Sequence, residues 1–178
     1  MRVFLIGFMG AGKTTIGRRL ASRLNYDFYD TDLYFEEKYH YSIQNFFAHF
    51  GEEKFREMER DILHEVISIT QNAVISTGGG TPCFYGNMDV MKNSGLTVYL
   101  RMKQGALKHR LEHSKRRRPG LDTLNEPELI AYIEKLMSFR EKFYESAHIS
   151  VDGENCKIDD MVVLIENAID GFTGDPGK

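Results

Sequence analysis

Residues 7–14 read Gly7-Phe8-Met9-Gly10-Ala11-Gly12-Lys13-Thr14 and fit the pattern G-x-x-x-x-G-K-[ST]. In that pattern glycines let the backbone wrap a triphosphate, successive N–H groups and the following helix N-terminus face its oxygens, and the lysine adds a positive charge. Just before it stands the apolar run Val3-Phe4-Leu5-Ile6, and after it Ile16, Leu20, Ala21 and Leu24 recur at helical spacing. Strand, loop and helix in that order are the context the motif requires. The stretch therefore predicts a nucleotide site built from Gly10, Ala11, Gly12, Lys13, Thr14 and Thr15, with the Thr14 hydroxyl on Mg²⁺.

Outward from the loop, short apolar runs at 3–6, 27–29, 73–76, 97–100 and 148–151 alternate with longer helical patterns. That alternation predicts an α/β fold, a three-layer α/β/α sandwich around a five-stranded parallel sheet, with ligand at the carboxyl ends of the strands. The 178 residues, 42% hydrophobic and 28% charged, suit a single domain over 1–170. Residues 171–178 carry three glycines and a proline and read as a frayed tail, and 153–159 as a polar loop. A net charge of −3 argues against a nucleic-acid partner or an acidic-membrane binder. Cys83 and Cys156 form no C-x-x-C pair, no apolar run approaches ~18 residues, and no signal sequence precedes the first strand, so a cytoplasmic enzyme is expected. A monomer is expected too, because no coiled-coil seam is present.

Two helical patterns place charge where a core should be. Over 55–69, Phe55, Met58, Ile62, Val66 and Ile69 form an apolar stripe, and Glu59 falls inside it. A carboxylate there needs a partner, and Arg56, three residues earlier, can reach it. The pair is either a plain helix-internal salt bridge or a carboxylate holding an arginine aimed into a cleft. Over 129–144 the apolar face comprises Leu129, Ile130, Ile133, Leu136, Met137, Phe143 and Tyr144, and Arg140 projects from its middle. Arginine cannot escape by losing its proton, so it either snorkels over the core or meets an anion. Two such arginines beside a phosphate loop point to a substrate that carries its own carboxylate.

The second strand ends in Asp30-Thr31-Asp32. Alternation along an extended chain aims both carboxylates to one side at the sheet's phosphate end. Asp30 is suited to the Mg²⁺ shell, directly or through water. Asp32 either takes a substrate hydroxyl or caps the helix beginning near Leu33. Gly78-Gly79-Gly80 follow the third strand and allow a ligand against bare backbone. Ser76 and Thr77 stand where phosphate-loop NTPases carry an acidic Mg²⁺ residue, which Asp30 on the neighbouring strand can replace.

Together these motifs make the chain resemble the shikimate kinase family over 2–168. The likeness rests on 7–14, Asp30-Thr31-Asp32, Phe55-Arg56 with Glu59, Gly78-Gly79-Gly80, Arg118-Pro119, and Arg140 in Leu136-Met137-Ser138-Phe139-Arg140. The resemblance implies a P-loop NTPase fold, ATP as co-substrate, Mg²⁺, and phosphorylation of the 3-hydroxyl of shikimate. It also implies that Asp32, Arg56, Arg140 and the glycines Gly78, Gly79 and Gly80 hold shikimate, Arg56 and Arg140 through its carboxylate. Lys13, Asp32 and Arg118 would be catalytic, Thr14 and Asp30 would serve the metal, and Arg110 would lie near adenine. A mobile lid over 112–124 would bring Arg118 to the phosphates. The family's lids often read Arg-Pro-Leu-Leu, whereas this one reads Arg118-Pro119-Gly120-Leu121. Lys115, Arg116 and Arg117 read as a solvated run within that lid, and His109 and His113 as helix surface rather than a metal clasp. The rivals are another small-molecule kinase of the same fold, such as a gluconate kinase, and a nucleotide-dependent switch. The switch is disfavoured because N-K-x-D and D-x-x-G are missing.

Overall fold

Four consecutive residues of β1 (Arg2–Ile6), Val3 to Ile6, are wholly buried, as a parallel strand covered on both faces demands. The computed structural model describes residues 1–113, 124–154 and 156–172. Strand β1 continues through the phosphate loop into α1 (Lys13–Leu24), β2 (Asp27–Asp30), α2 (Thr31–Tyr39), α3 (Ile43–Ile69) and β3 (Ala73–Ser76). After a short 3₁₀ turn, Thr81–Cys83, come α4 (Asn87–Ser94), β4 (Leu96–Arg101), α5 (Gln104–Glu112), α6 (Glu126–Tyr144), β5 (Ile149–Asp152) and α7 (Ile158–Gly171).

All pairings are parallel, and the five strands lie in the order β2-β3-β1-β4-β5. From β1 the chain steps towards the β2 edge, and from β3 towards the β5 edge. Right-handed crossovers therefore set α1 and α4 on opposite faces, which makes the three layers. Register places Asp30 of β2 opposite Ser76 of β3 at the carboxyl ends, so the acid lies beside the position where Ser76 replaces one. Helix α1 lies so close to the sheet that a Cβ on Gly17 would stand 2.5 Å from the Phe28 ring.

Several elements differ from the sequence reading. Helix α3 starts at Ile43, not at 55, and breaks at Gly51, whose φ of 79° and ψ of 172° only glycine adopts readily. Its buried stripe includes Leu63, while Ile69 at its end is exposed. On α6 the buried face is Leu129, Ile133, Met137, Arg140 and Tyr144, and Ile130 faces solvent. A capping box between Asn125 and Glu128 fixes where α6 begins. The segment 153–159 is shorter as a loop than expected, because α7 begins at Ile158, and α7 runs through Gly171. The lid residues 114–123, including Arg118, and the tail residues 173–178 lie outside the described residues.

Candidate active site

Glycines Gly7, Gly10 and Gly12 have φ of 137°, 84° and 95°, so the backbone between β1 and α1 turns through a region that side chains avoid. At Gly7 a Cβ would also stand 2.8 Å from the Leu100 carbonyl oxygen. Gly12 is the N-cap of α1 and brings no side-chain cap, so the first-turn N–H groups are directed at an incoming anion rather than at a capping oxygen. The Lys13 ammonium is buried and donates to the carbonyls of Gly7, at 2.8 Å, and Phe8, at 3.0 Å. Arg110 of α5 reaches over the loop and donates through Nη1 to the Gly10 and Ala11 carbonyls, each at 3.3 Å.

Asp30 ties three parts together. Its Oδ2 accepts the Thr14 hydroxyl at 2.7 Å, and its Oδ1 accepts the N–H groups of Asp32 and Leu33 at 3.1 and 3.3 Å. The cap of α2 is thus Asp30, not Asp32, and Asp32 sits in the first helical turn rather than on an extended strand. Strand alternation is therefore not what aims the two carboxylates; the β2-to-α2 turn does so. Thr14 and Asp30 are adjacent hard oxygen donors, a set suited to Mg²⁺ that is otherwise held by water and phosphate oxygens. Among the described residues no three His, Cys, Asp or Glu side chains converge as a cage made of protein alone.

Facing the phosphate loop is the turn after β3. Gly78 N–H donates to Thr31 Oγ1 at 3.2 Å, and the Gly79 carbonyl accepts the Tyr144 hydroxyl at 2.5 Å. Each glycine touches a charged side chain. A Cβ on Gly78 would stand 2.5 Å from Glu59 Oε1 and 2.8 Å from Asp32 Oδ1, and one on Gly80 2.5 Å from Arg56 Nη1. At Gly79 the neighbours are the Met9 N–H and Arg140 Nη1. Bare backbone here makes room for the site's own charges.

Arg56 is held in a frame. Its Nη1 donates to Glu59 Oε2 at 2.7 Å, and Thr81 Oγ1 donates to the other Glu59 oxygen at 2.7 Å. Its Nε and Nη2 donate to Glu52 Oε1 at 3.2 and 3.0 Å. Phe84, Phe55 and Phe47 surround the guanidinium, with ring centroids 4.7, 5.2 and 5.8 Å away. Burial alone would lower the Arg56 pKa, but the Glu59 and Glu52 carboxylates more than offset it and hold it above the ordinary value. Removing the buried partner should be costly: Glu59→Ala is expected to lower the unfolding free energy by about 3 kcal/mol, read from the urea midpoint. A loss below about 0.5 kcal/mol would mean that Glu59 does not hold a buried charge.

Arg140 is the opposite case. It is 5% exposed, and its Nε and Nη1 have no hydrogen-bond partner among the described residues. It lies 5.7 Å from the centroid of the Phe8 ring of the phosphate loop. A buried guanidinium with idle donors, facing the same turn as Arg56, is chemically suited to receive an anion.

One cavity of about 670 Å³ joins these parts, lined by the phosphate loop, Arg56, Arg140 and the glycine turn. A shikimate kinase family model matches residues 9–169. The chain belongs to the shikimate kinase family. It is 46% identical over 168 residues to a shikimate kinase of Parabacteroides distasonis, covering 94% of this chain and 96% of that one. The crystal structure of shikimate kinase from Bacteroides thetaiotaomicron superposes with a TM-score of 0.90 at 40% identity, covering 96% of this chain and 98% of that chain. Shikimate kinase from Acinetobacter baumannii in complex with shikimate superposes at 0.84 with 32% identity, covering 96% and 93%.

Of the residues expected from shikimate kinase motifs, Gly10, Gly12, Lys13, Thr14, Thr15, Asp30, Asp32, Arg56, Gly78 to Gly80, Arg110 and Arg140 all line that cavity. Ala11, within the loop, is buried and does not. Sequence reading missed Glu52, Thr81 and Tyr144. Glu52 and Tyr144 were findable, since they stand four residues from Arg56 and Arg140 on the same helices. Thr81 carries no such signal, because its partner Glu59 is 22 residues away.

Proposed function

We propose that the protein is an ATP-dependent kinase that transfers the γ-phosphoryl group to the 3-hydroxyl of shikimate, giving shikimate 3-phosphate for chorismate and aromatic amino-acid synthesis. The observation that carries the reading is Arg140, whose Nε and Nη1 are unpartnered among the described residues and which lines the same cavity as the phosphate loop. A small acceptor that grips Arg140 and Arg56 by its carboxylate would present a hydroxyl towards Asp32 and the nucleotide.

The loop N–H groups and Lys13 bind the phosphates, and Arg110 braces the loop on the nucleotide side. Thr14 and Asp30 would hold Mg²⁺, which when bound neutralises charge on the phosphoryl oxygens. Asp32 orients the acceptor hydroxyl and takes its proton late in the transfer. The transition state is loose, so positioning and charge neutralisation provide most of the acceleration. Arg118 is assigned by its family motif to the same neutralisation, with closure of the segment around it excluding water. The net charge of −3 supports an enzyme without a nucleic-acid partner, the separate Cys83 and Cys156 support a cytoplasmic one, and we assign it as a monomer. No helix among the described residues is long and apolar enough to cross a membrane.

Mass and ³¹P NMR analysis of the product tests the reading against the gluconate-kinase rival. With shikimate and gluconate offered together, the phosphate should appear on the shikimate 3-hydroxyl. Phosphorylated gluconate as the main product would overturn it.

A further inference from the structure

The two carboxylates on Arg56 are unequal. Glu59 is 4% exposed and is pinned by Thr81, whereas the Glu52 side chain is 57% exposed and opens onto the cavity. Glu52 nevertheless holds the edge of the guanidinium formed by Nε and Nη2, one of the two edges that offer a carboxylate parallel donors, the second having its Nη1 already given to Glu59. The other approaches are closed: Glu59 takes Nη1, Gly80 packs against the guanidinium, and the Phe84 ring lies 4.7 Å from it. A substrate carboxylate can thus reach a paired edge of Arg56 only where Glu52 now sits.

We infer that Glu52 is a placeholder, an internal carboxylate that the substrate carboxylate displaces from Arg56, and so a residue that sets acceptor affinity. Its release costs little where a substrate carboxylate takes its place on the buried Arg56, because the largely exposed Glu52 carboxylate returns to water. It also stands directly after Gly51, where α3 is broken, so it can leave without unwinding the helix that carries Arg56 and Glu59. While seated it keeps Arg56 neutralised and its fork pre-aligned, and it repels anions too weak to displace it. Glu59 stays throughout, as a buried partner must.

The inference rests on the proposed acceptor, and the test separates the two. Shikimate is titrated calorimetrically into wild type, Glu52→Gln, Glu52→Ala and the control Glu57→Gln, an exposed residue of the same helix paired with Lys54. KM and kcat are measured in parallel. Both Glu52 variants should lower the shikimate Kd and KM by about 3–10-fold with kcat within about twofold, and Glu57→Gln should change neither. A raised Kd would make Glu52 a brace for bound substrate, and an unchanged Kd would mean the pair never opens; either result overturns the inference. No shikimate binding by the wild type would instead refute the acceptor assignment.

Discussion

Arg140→Ala is expected to raise the KM for shikimate by roughly 10²- to 10³-fold while kcat changes much less, because the carboxylate contact is made equally in ground and transition states. The magnitude follows from where the guanidinium sits. It is buried and its Nε and Nη1 are unpartnered among the described residues, so an anion seated on it would be paired in a site of low local dielectric. The same geometry fixes the sign of a second readout. Truncation removes a buried charge two of whose donors have no partner among the described residues, so the thermal midpoint should hold or rise. Initial rates over a shikimate range at saturating ATP, with a melting curve, check both. An unchanged KM would detach Arg140 from the acceptor, and a collapse in stability would make it a structural residue.

Lys13→Ala is expected to lower kcat by roughly 10³-fold, with a smaller effect on either KM. The Lys13 ammonium is held on the Gly7 and Phe8 carbonyls at the mouth of the loop, a short reach from any phosphate seated on the α1 N-terminus. In the proposed mechanism it neutralises charge on the transferred group, so its loss should fall on the chemical step. Lys13→Arg should not rescue, since the buried slot fits a compact ammonium rather than a planar fork. Single-turnover rates at saturating substrates give the test. A variant that keeps a tenth of the wild-type rate would remove Lys13 from the chemistry.

The parts that could be read in the chain are those written in local constraint. The loop is legible because Gly7, Gly10 and Gly12 are needed for φ values that other residues avoid, and the buried strands because parallel strands are apolar on both faces. Arg56, Glu59 and Arg140 stood out because helical periodicity puts them on a buried face, and burial of charge requires a reason. The rest arises between segments. Asp30 caps α2 and takes the Thr14 hydroxyl across a turn whose shape strand alternation does not describe. The glycine turn packs against Glu59, Arg56 and Arg140 from two other helices. Glu52 is obscured in the sequence because the glycine break at Gly51 hides the continuity of α3 before Phe55. Strand order is likewise a property of crossovers and has no signature within any one strand.

The central claim is that nucleotide and carboxylate-bearing acceptor meet in one cleft and react there. ADP release from ATP and Mg²⁺, followed with and without shikimate, tests it most directly. The account predicts release that depends on shikimate, with one shikimate 3-phosphate formed for each ADP and only a trace of hydrolysis when the acceptor is omitted. Release at the same rate in both reactions would contradict it.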